Sequence, residues 1–256
     1  MNIHFYKYEG TGNDFIMIDN RKMSFHKQEE SIRLLCDRRF GIGADGLILL
    51  EESPETDFKM VYYNSDGRES TFCGNGGRCV ASFARKLGLV QDKTQFEAKD
   101  GLHEATFHGS AVSLKMRDVT EVKSILDGYE LFTGSPHFVV FTDHVSQTDV
   151  QKEGRRIRTM DHNMPDGINV NFVQKQTEGI FVRTYERGVE DETLSCGTGV
   201  TASALVAASN GYKSPVLVET PGGKLEVEFV QHSDESFTVV FLKGPARFVF
   251  EGHFEI

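Results

Sequence analysis

The chain has 256 residues, 39% hydrophobic and 26% charged, a composition ordinary for a globular protein that buries a full core. A formal net charge of −10 argues against a nucleic-acid partner, which demands a basic face, but leaves small anionic substrates open. The four cysteines lack CxxC spacing, which argues against a disulfide framework and against a zinc site.

The opening "MNIHFYKYEGTGNDF" has no charged region followed by an apolar run, so no signal peptide is expected. No window approaches the length of apolar chain that spans a membrane, and with the cysteine usage this points to a cytoplasmic protein. "DFIMIDN" (14–20) reads as a strand. "KQEESIRLLCDRRF" (27–40) predicts a helix: Ile32, Leu35 and Cys36 have helical spacing, with acids first and arginines last. "GIGADG" (41–46) matches G-x-G-x-x-G, but a dinucleotide site needs a strand before and a helix after. Here a charged helix precedes and the strand-like "LILLEE" (47–52) follows, so a turn is expected. After the strand "FKMVYYN" (58–64) and Cys73, "GGRCVASFARKLG" (76–88) predicts a helix stopped by Gly88. "SPHFVVF" (135–141) is a strand, and "DVQKEGRRI" (149–157) a weaker helix because of Gly154. "INVNFV" (168–173) and "IFVRTYE" (180–186) are strands. After Cys196, "GVTASALVAASNG" (199–211) is small or apolar nearly all round and reads as a buried central helix. "PVLVET", "KLEVEFV" and "FTVVFLK" complete the strands (215–220, 224–230, 237–243). Few helices among many strands predict an α+β protein of mainly antiparallel sheets wrapped around helices.

The sequence also repeats itself. Cys73 and Cys196 each have glutamate four residues earlier (Glu69, Glu192), Gly-x-Gly immediately after, and glycine 15 residues later (Gly88, Gly211). Asn13 and Asn64 lie 51 residues apart, as do Ser135 and Glu186. Asp45-Gly46 precedes Cys73 by 28 residues, and Asp166-Gly167 precedes Cys196 by 30. Such agreement predicts two homologous, pseudo-symmetric halves that meet near residue 118.

Each Cys-Gly-x-Gly element puts a thiol at the start of a predicted helix. The first N–H groups there carry roughly half a positive charge, which lowers a cysteine pKa. Glycine lets the same N–H groups approach an anion. Two such halves suit inversion of a stereocentre beside a carboxylate, which needs a base on one face and an acid on the other. Two helix starts aimed at that carboxylate stabilise the developing enolate without an organic cofactor. No HExxH, paired CxxC or GxxxxGK[ST] is present, so neither a metal nor a nucleotide is expected. Cys36 and Cys79 sit within helical patterns and read as inert core residues. A reversible Cys73–Cys196 redox pair without catalysis is the alternative class.

The segments "KYEGTGNDF", "DRRFGIGADG", "YNSDGRESTFCGNGGRC", "GSPHFV", "MPDGINVNFV" and "RTYERGVEDETLSCGTG", spanning residues 7 to 199, resemble the diaminopimelate epimerase family. The resemblance implies interconversion of LL- and meso-2,6-diaminopimelate for lysine and peptidoglycan synthesis, with Cys73 and Cys196 as the two acid/base residues. It implies that Gly74, Asn75, Gly197 and Thr198 bind the reacting carboxylate, and that Asn13, Asn64 and Asn169 hold the distal end. Arg187 should pair with the distal carboxylate, Glu186 should bind the reacting ammonium, and His137 with Glu186 should tune the thiols. The family commonly has asparagine where this chain has Ser135, and some members have glutamine at Gly46. The resemblance also implies a homodimer, and two domains: 1–117 completed by a strand from about 244–256, and 118–243. A two-thiol racemase acting on proline, hydroxyproline or an unrelated amino acid is the other enzymatic reading, and a substrate without a second amino-acid end would not need Asn64, Asn169 and Arg187.

Overall fold

The computed structural model describes residues 2–159 and 167–256. Met164, Pro165 and Asp166 of the "MPDG" segment lie outside the described residues. The chain divides into two compact units, Met1–Leu114 with Gly244–Ile256, and Lys115–Lys243.

The first unit runs β1 (Asn2–Gly10), β2 (Asn13–Asp19), α1 (Glu29–Cys36), β3 (Gly46–Glu51), β4 (Phe58–Asn64), α2 (Gly74–Lys86), β5 (Lys93–Ala98), β6 (Gly101–His108) and β7 (Ala111–Lys115). β2 pairs with β3, and β4 with β5, in parallel; the other neighbours in this order are antiparallel. The two parallel joins are the places where a helix connects the strands, since parallel neighbours need a crossover. α2 packs on β1 to β4, and α1 on β3. The central strands are therefore buried on both faces, which is why every residue of "GLILLE" in β3 is buried. Ile16, Ile18, Leu47, Leu49 and Val61 join Ile32 and Leu35 of α1 in one core layer. The alternate residues Phe15, Ile48 and Met60 face Gly76 of α2.

The second unit runs β8 (Val122–Ile125), β9 (Gly128–Phe132), β10 (Pro136–Phe141), α3 (Val150–Arg158), β11 (Asn169–Lys175), β12 (Ile180–Glu186), β13 (Asp191–Thr193), α4 (Gly197–Ser209), β14 (Val216–Thr220), β15 (Gly223–Ser233) and β16 (Ser236–Pro245). β9 to β16 repeat the pairing of β1 to β7, including parallel joins at β10–β11 and β12–β14. β8 lies antiparallel to β9. Its counterpart in the first unit is β17 (Arg247–Glu255), which runs antiparallel along the whole of β1. The fold is thus α+β, two pseudo-symmetric halves, each a mainly antiparallel sheet around a central helix.

α1 is shorter than its predicted span because the chain turns back on it: Ile42 and Gly43 N–H both reach the Leu35 carbonyl. Gly43 takes φ +80°, and "GIGADG" is the turn between α1 and β3. α3 tolerates Gly154 because a Cβ there would lie 2.4 Å from Tyr185 Cβ. Asp149 caps that helix, accepting from Lys152 N–H at 3.1 Å. α4 is buried on nearly every side, as its composition predicted.

Candidate active site

Cys73 and Cys196 occupy the same place in their units, each the extended N-cap residue of the central helix. The first main-chain bonds of the two helices run from Gly77 N to Cys73 O at 2.7 Å and from Val200 N to Cys196 O at 2.8 Å. Neither helix has an acidic residue in its first turn, so no side chain of those turns offsets the positive end of the dipole. Gly74 and Gly197 open the two helices, and Asn75 and Thr198 follow. Cys73 is half-buried and Cys196 buried.

In the first unit a network of side chains orients the groups around Cys73. Asn13 Nδ2 donates to Asp45 Oδ2 at 2.6 Å, which turns Asn13 Oδ1 toward Cys73 Sγ (3.5 Å) and Asn75 Nδ2 (3.4 Å). Arg38 braces this arrangement with Nη2 bonds to Asp45 at 2.8 Å and Asp14 at 2.7 Å. Lys7 pairs with the other oxygen of Asp14 at 2.8 Å. Burial alone would raise the Asp14 pKa, but the bonds from Arg38 and Lys7 outweigh it and bring the pKa down to about 2. Below the helix start, the fully buried Arg78 donates through Nη2 to Asn75 Oδ1 at 2.9 Å and Thr11 Oγ1 at 3.1 Å. Its Nη1 reaches Gly74 O and its Nε reaches Pro245 O, both at 3.4 Å. Asn64 lies exposed at the end of β4, where its backbone closes a turn with Gly67 and Arg68.

In the second unit Thr198 Oγ1 lies 3.5 Å from Cys196 Sγ, 3.1 Å from Ser135 Oγ and 2.9 Å from His137 Nε2. His137 is fully buried and reaches Cys196 through Thr198. Burial and the Arg187 charge hold its pKa down at about 3, so the ring is neutral. Asn169 uses its amide to hold the surroundings: Nδ2 donates to Pro136 O at 3.0 Å and Ser135 Oγ at 3.2 Å, and Oδ1 accepts from Arg187 N at 2.9 Å. Glu186 and Arg187 are half-buried at the end of β12, with Arg187 Nη1 3.5 Å from Gly167 O.

Cys36 and Cys79 are buried core residues; burial drives both thiol pKa values up, that of Cys36 to about 12, which makes them poor nucleophiles. Among the described residues no group of three or more His, Cys, Asp or Glu could hold a metal ion. No helix among them is long and apolar enough to cross a membrane.

Sequence reasoning missed Arg78, Asn171, Thr184 and the Lys7–Asp14–Arg38–Asp45 network. A signal for Asn171 was present: Asn169 and Asn171 alternate with Val170 and Phe172 in a strand, so two amides share one face of a buried sheet.

Solved structures sharing the fold include a PhzF-family phenazine biosynthesis protein of Bacillus anthracis (TM-score 0.74, 15% identity, all of both chains). Others are a probable proline racemase of Agrobacterium radiobacter (0.71, 17%, 99% of this chain and 92% of that one) and a hydroxyproline epimerase of Agrobacterium vitis (0.70, 12%, 98% and 92%). The class is therefore the duplicated α+β fold of these proteins, here with a cysteine capping the central helix of each half. The family model described as diaminopimelate epimerase matches residues 5–121 and 131–249. Proteins named diaminopimelate epimerase are 57% identical over 252 residues in Flavobacterium psychrophilum, covering 96% of this chain and 98% of that one. They are 43% identical over 255 residues in Chlorobaculum tepidum (95% and 98%) and 42% over 274 in Aquifex aeolicus (98% and 97%). The chain belongs to the diaminopimelate epimerase family of isomerases.

Proposed function

We propose that this protein interconverts LL- and meso-2,6-diaminopimelate in the cytoplasm, supplying lysine and peptidoglycan precursors, by a two-thiol mechanism that uses no organic cofactor. The observation that carries the reading is the pair of cysteines at matching helix N-caps in a chain of this family. The α-carbon is a very weak acid. A thiolate removes its proton on one face while a thiol delivers one to the other, Cys73 serving one role and Cys196 the other, exchanged in the reverse reaction. The substrate carboxylate sits against the starts of α2 and α4, at Gly74, Asn75, Gly197 and Thr198, where main-chain N–H groups offset the charge building on the enolate. Asn13, Asn64 and Asn169 shape the distal pocket, the Arg187 fork pairs with the distal carboxylate, and Glu186 takes the reacting ammonium. His137 and Glu186 tune the thiols, and the working form is a homodimer.

The test is incubation of reduced protein with LL-diaminopimelate in D2O, following α-deuterium and the meso isomer. Deuterium should appear at the inverted centre without added pyridoxal phosphate, and proline should not exchange. Full epimerase activity in Cys73→Ala or Cys196→Ala would overturn the two-thiol reading.

A further inference from the structure

The two halves build the same backbone around different chemistry. A Cβ on Gly76, three residues after Cys73, would meet Ile48, Met60 and Phe15 at 2.9 to 3.5 Å. Gly199, three residues after Cys196, faces polar groups instead: its Cβ would lie 2.3 Å from Asn171 Oδ1 and 3.3 Å from His137 Cε1. Strand register shows that the exchange is position for position. Phe15 pairs with Gly46 across β2–β3 as His137 pairs with Asn169 across β10–β11. Two residues on, Ile48 pairs with Tyr62 and Asn171 with Thr184. Phe15, Ile48 and the aromatic Tyr62 thus stand where the second unit has His137, Asn171 and Thr184, all of them buried.

Burying the polar His137, Asn171 and Thr184 costs free energy unless each polar atom is bonded. Here the bonds fix their own directions. Asn171 Nδ2 lies 3.1 Å from the Phe138 carbonyl, which can only accept, so that end of the amide is the NH2 group. The same nitrogen lies 3.0 Å from His137 Nδ1, which therefore accepts, while Asn171 Oδ1 accepts from Thr184 Oγ1 at 3.0 Å. A neutral imidazole that accepts at Nδ1 carries its proton on Nε2. That N–H meets Thr198 Oγ1 at 2.9 Å and Ser135 Oγ at 3.0 Å, and Ser135 Oγ also receives Asn169 Nδ2 at 3.2 Å. A Thr198 oxygen that accepts from the ring keeps its own proton to give, and Cys196 Sγ lies 3.5 Å away.

We propose that Asn171 is a positioning residue: it holds His137 as the Nε2–H tautomer, which turns the Thr198 hydroxyl into a donor toward Cys196 and stabilises the Cys196 thiolate. Because burial and Arg187 already keep the ring neutral, the tautomer is what Asn171 controls. The proposal rests on Cys196 acting as an acid/base thiol, as argued above, yet its state is readable without substrate.

The test is nitrogen NMR of the protein labelled with 15N-histidine, with His137→Gln to assign the ring. Wild type should show a protonated Nε2 and a bare Nδ1. Asn171→Asp, an isosteric change that leaves only acceptors beside Nδ1, should move the proton to Nδ1. It should also slow alkylation of Cys196 by iodoacetamide at neutral pH about tenfold, corresponding to about one unit of thiol pKa, with Cys73 unaffected. Should Asn171→Asp fail to fold, Thr198→Val tests the last link and should slow Cys196 alkylation to a similar degree. An Nδ1–H or doubly protonated ring in wild type overturns the proposal, as does Cys196 reactivity unchanged in the folded variants. Loss of epimerisation with the wild-type tautomer in place counts against the reaction proposed above and leaves this relay standing.

Discussion

Arg78 is a guanidinium with no exposed surface, and its two shortest bonds go to neutral oxygens, Asn75 Oδ1 and Thr11 Oγ1. Burial opposes its charge, and Cys79, Cys73 and Glu9 favour it. Replacing it by methionine keeps the apolar stem and removes four hydrogen bonds, two of them at 3.4 Å and correspondingly weak. A bond from a charged donor contributes about 1.5–3 kcal/mol, so the two shorter ones are worth about 3–6 kcal/mol in total. Part of this is offset because the variant no longer buries a charge, a cost of several kcal/mol in principle. We therefore predict that Arg78→Met loses about 2–4 kcal/mol of stability. Arg78→Lys should recover about half, because an ammonium cannot reproduce the fork. Urea denaturation gives the stabilities. Epimerisation of LL-diaminopimelate, assayed where all three proteins are fully folded, should still be reduced in Arg78→Met, because Asn75 loses the anchor that aims its amide at Asn13. A methionine variant within about 0.5 kcal/mol of wild type, with unchanged turnover, would refute the reasoning.

Two further outcomes follow from the packing. Gly154→Ala gains about 1 kcal/mol of helix propensity but drives a methyl group into Tyr185, 2.4 Å from its Cβ, so thermal melts should show a net loss of about 1–3 kcal/mol. The neutral, buried His137 has a native pKa of about 3 against an ordinary 6.5, so the unfolded chain binds the extra proton. Its contribution to stability is fully present above pH 6.5 and declines by about 1.4 kcal/mol per pH unit on acidification toward 3. Denaturation of wild type and His137→Gln across this range should show their stability difference shrinking as pH falls; a difference that stays constant would contradict it.

Local signals announced the helices and the core strands, but not that β2–β3, β4–β5, β10–β11 and β12–β14 pair in parallel. Gly88 and Gly211 stop α2 and α4 in the left-handed region, at φ +75° and +99°, as glycine after a helix should. The unbroken apolar run in β3 required a sheet covered on both faces. The duplicated cysteine setting exposes the internal repeat in the sequence itself. Strands such as β5, "KTQFEA", and β6, "GLHEATFH", gave little signal because they bury so few side chains. β1 was hidden for a related reason, since its Lys7 is buried by an ion pair with Asp14 that no local pattern foretells. Arg78 reads as surface charge in sequence; only the closure of Thr11, Asn75 and Pro245 around it, residues far apart along the chain, makes it interior. Local propensity reports one element at a time, whereas these side chains are placed by contacts between distant elements.

The strand β17 sets an order of events during synthesis. The second unit is one continuous stretch, Lys115–Lys243, and every strand it needs is translated before β17. The first unit contains β1, translated long before β17, but β1 acquires its β17 neighbour, and Arg78 its Pro245 acceptor, only when residues 244–256 arrive. Until then β1 presents an unpaired edge, the kind of surface that recruits wrong partners. The setting of Cys73, whose helix packs on β1 and is braced through Arg78 to Pro245, is therefore complete only once both distant stretches of its unit have been translated.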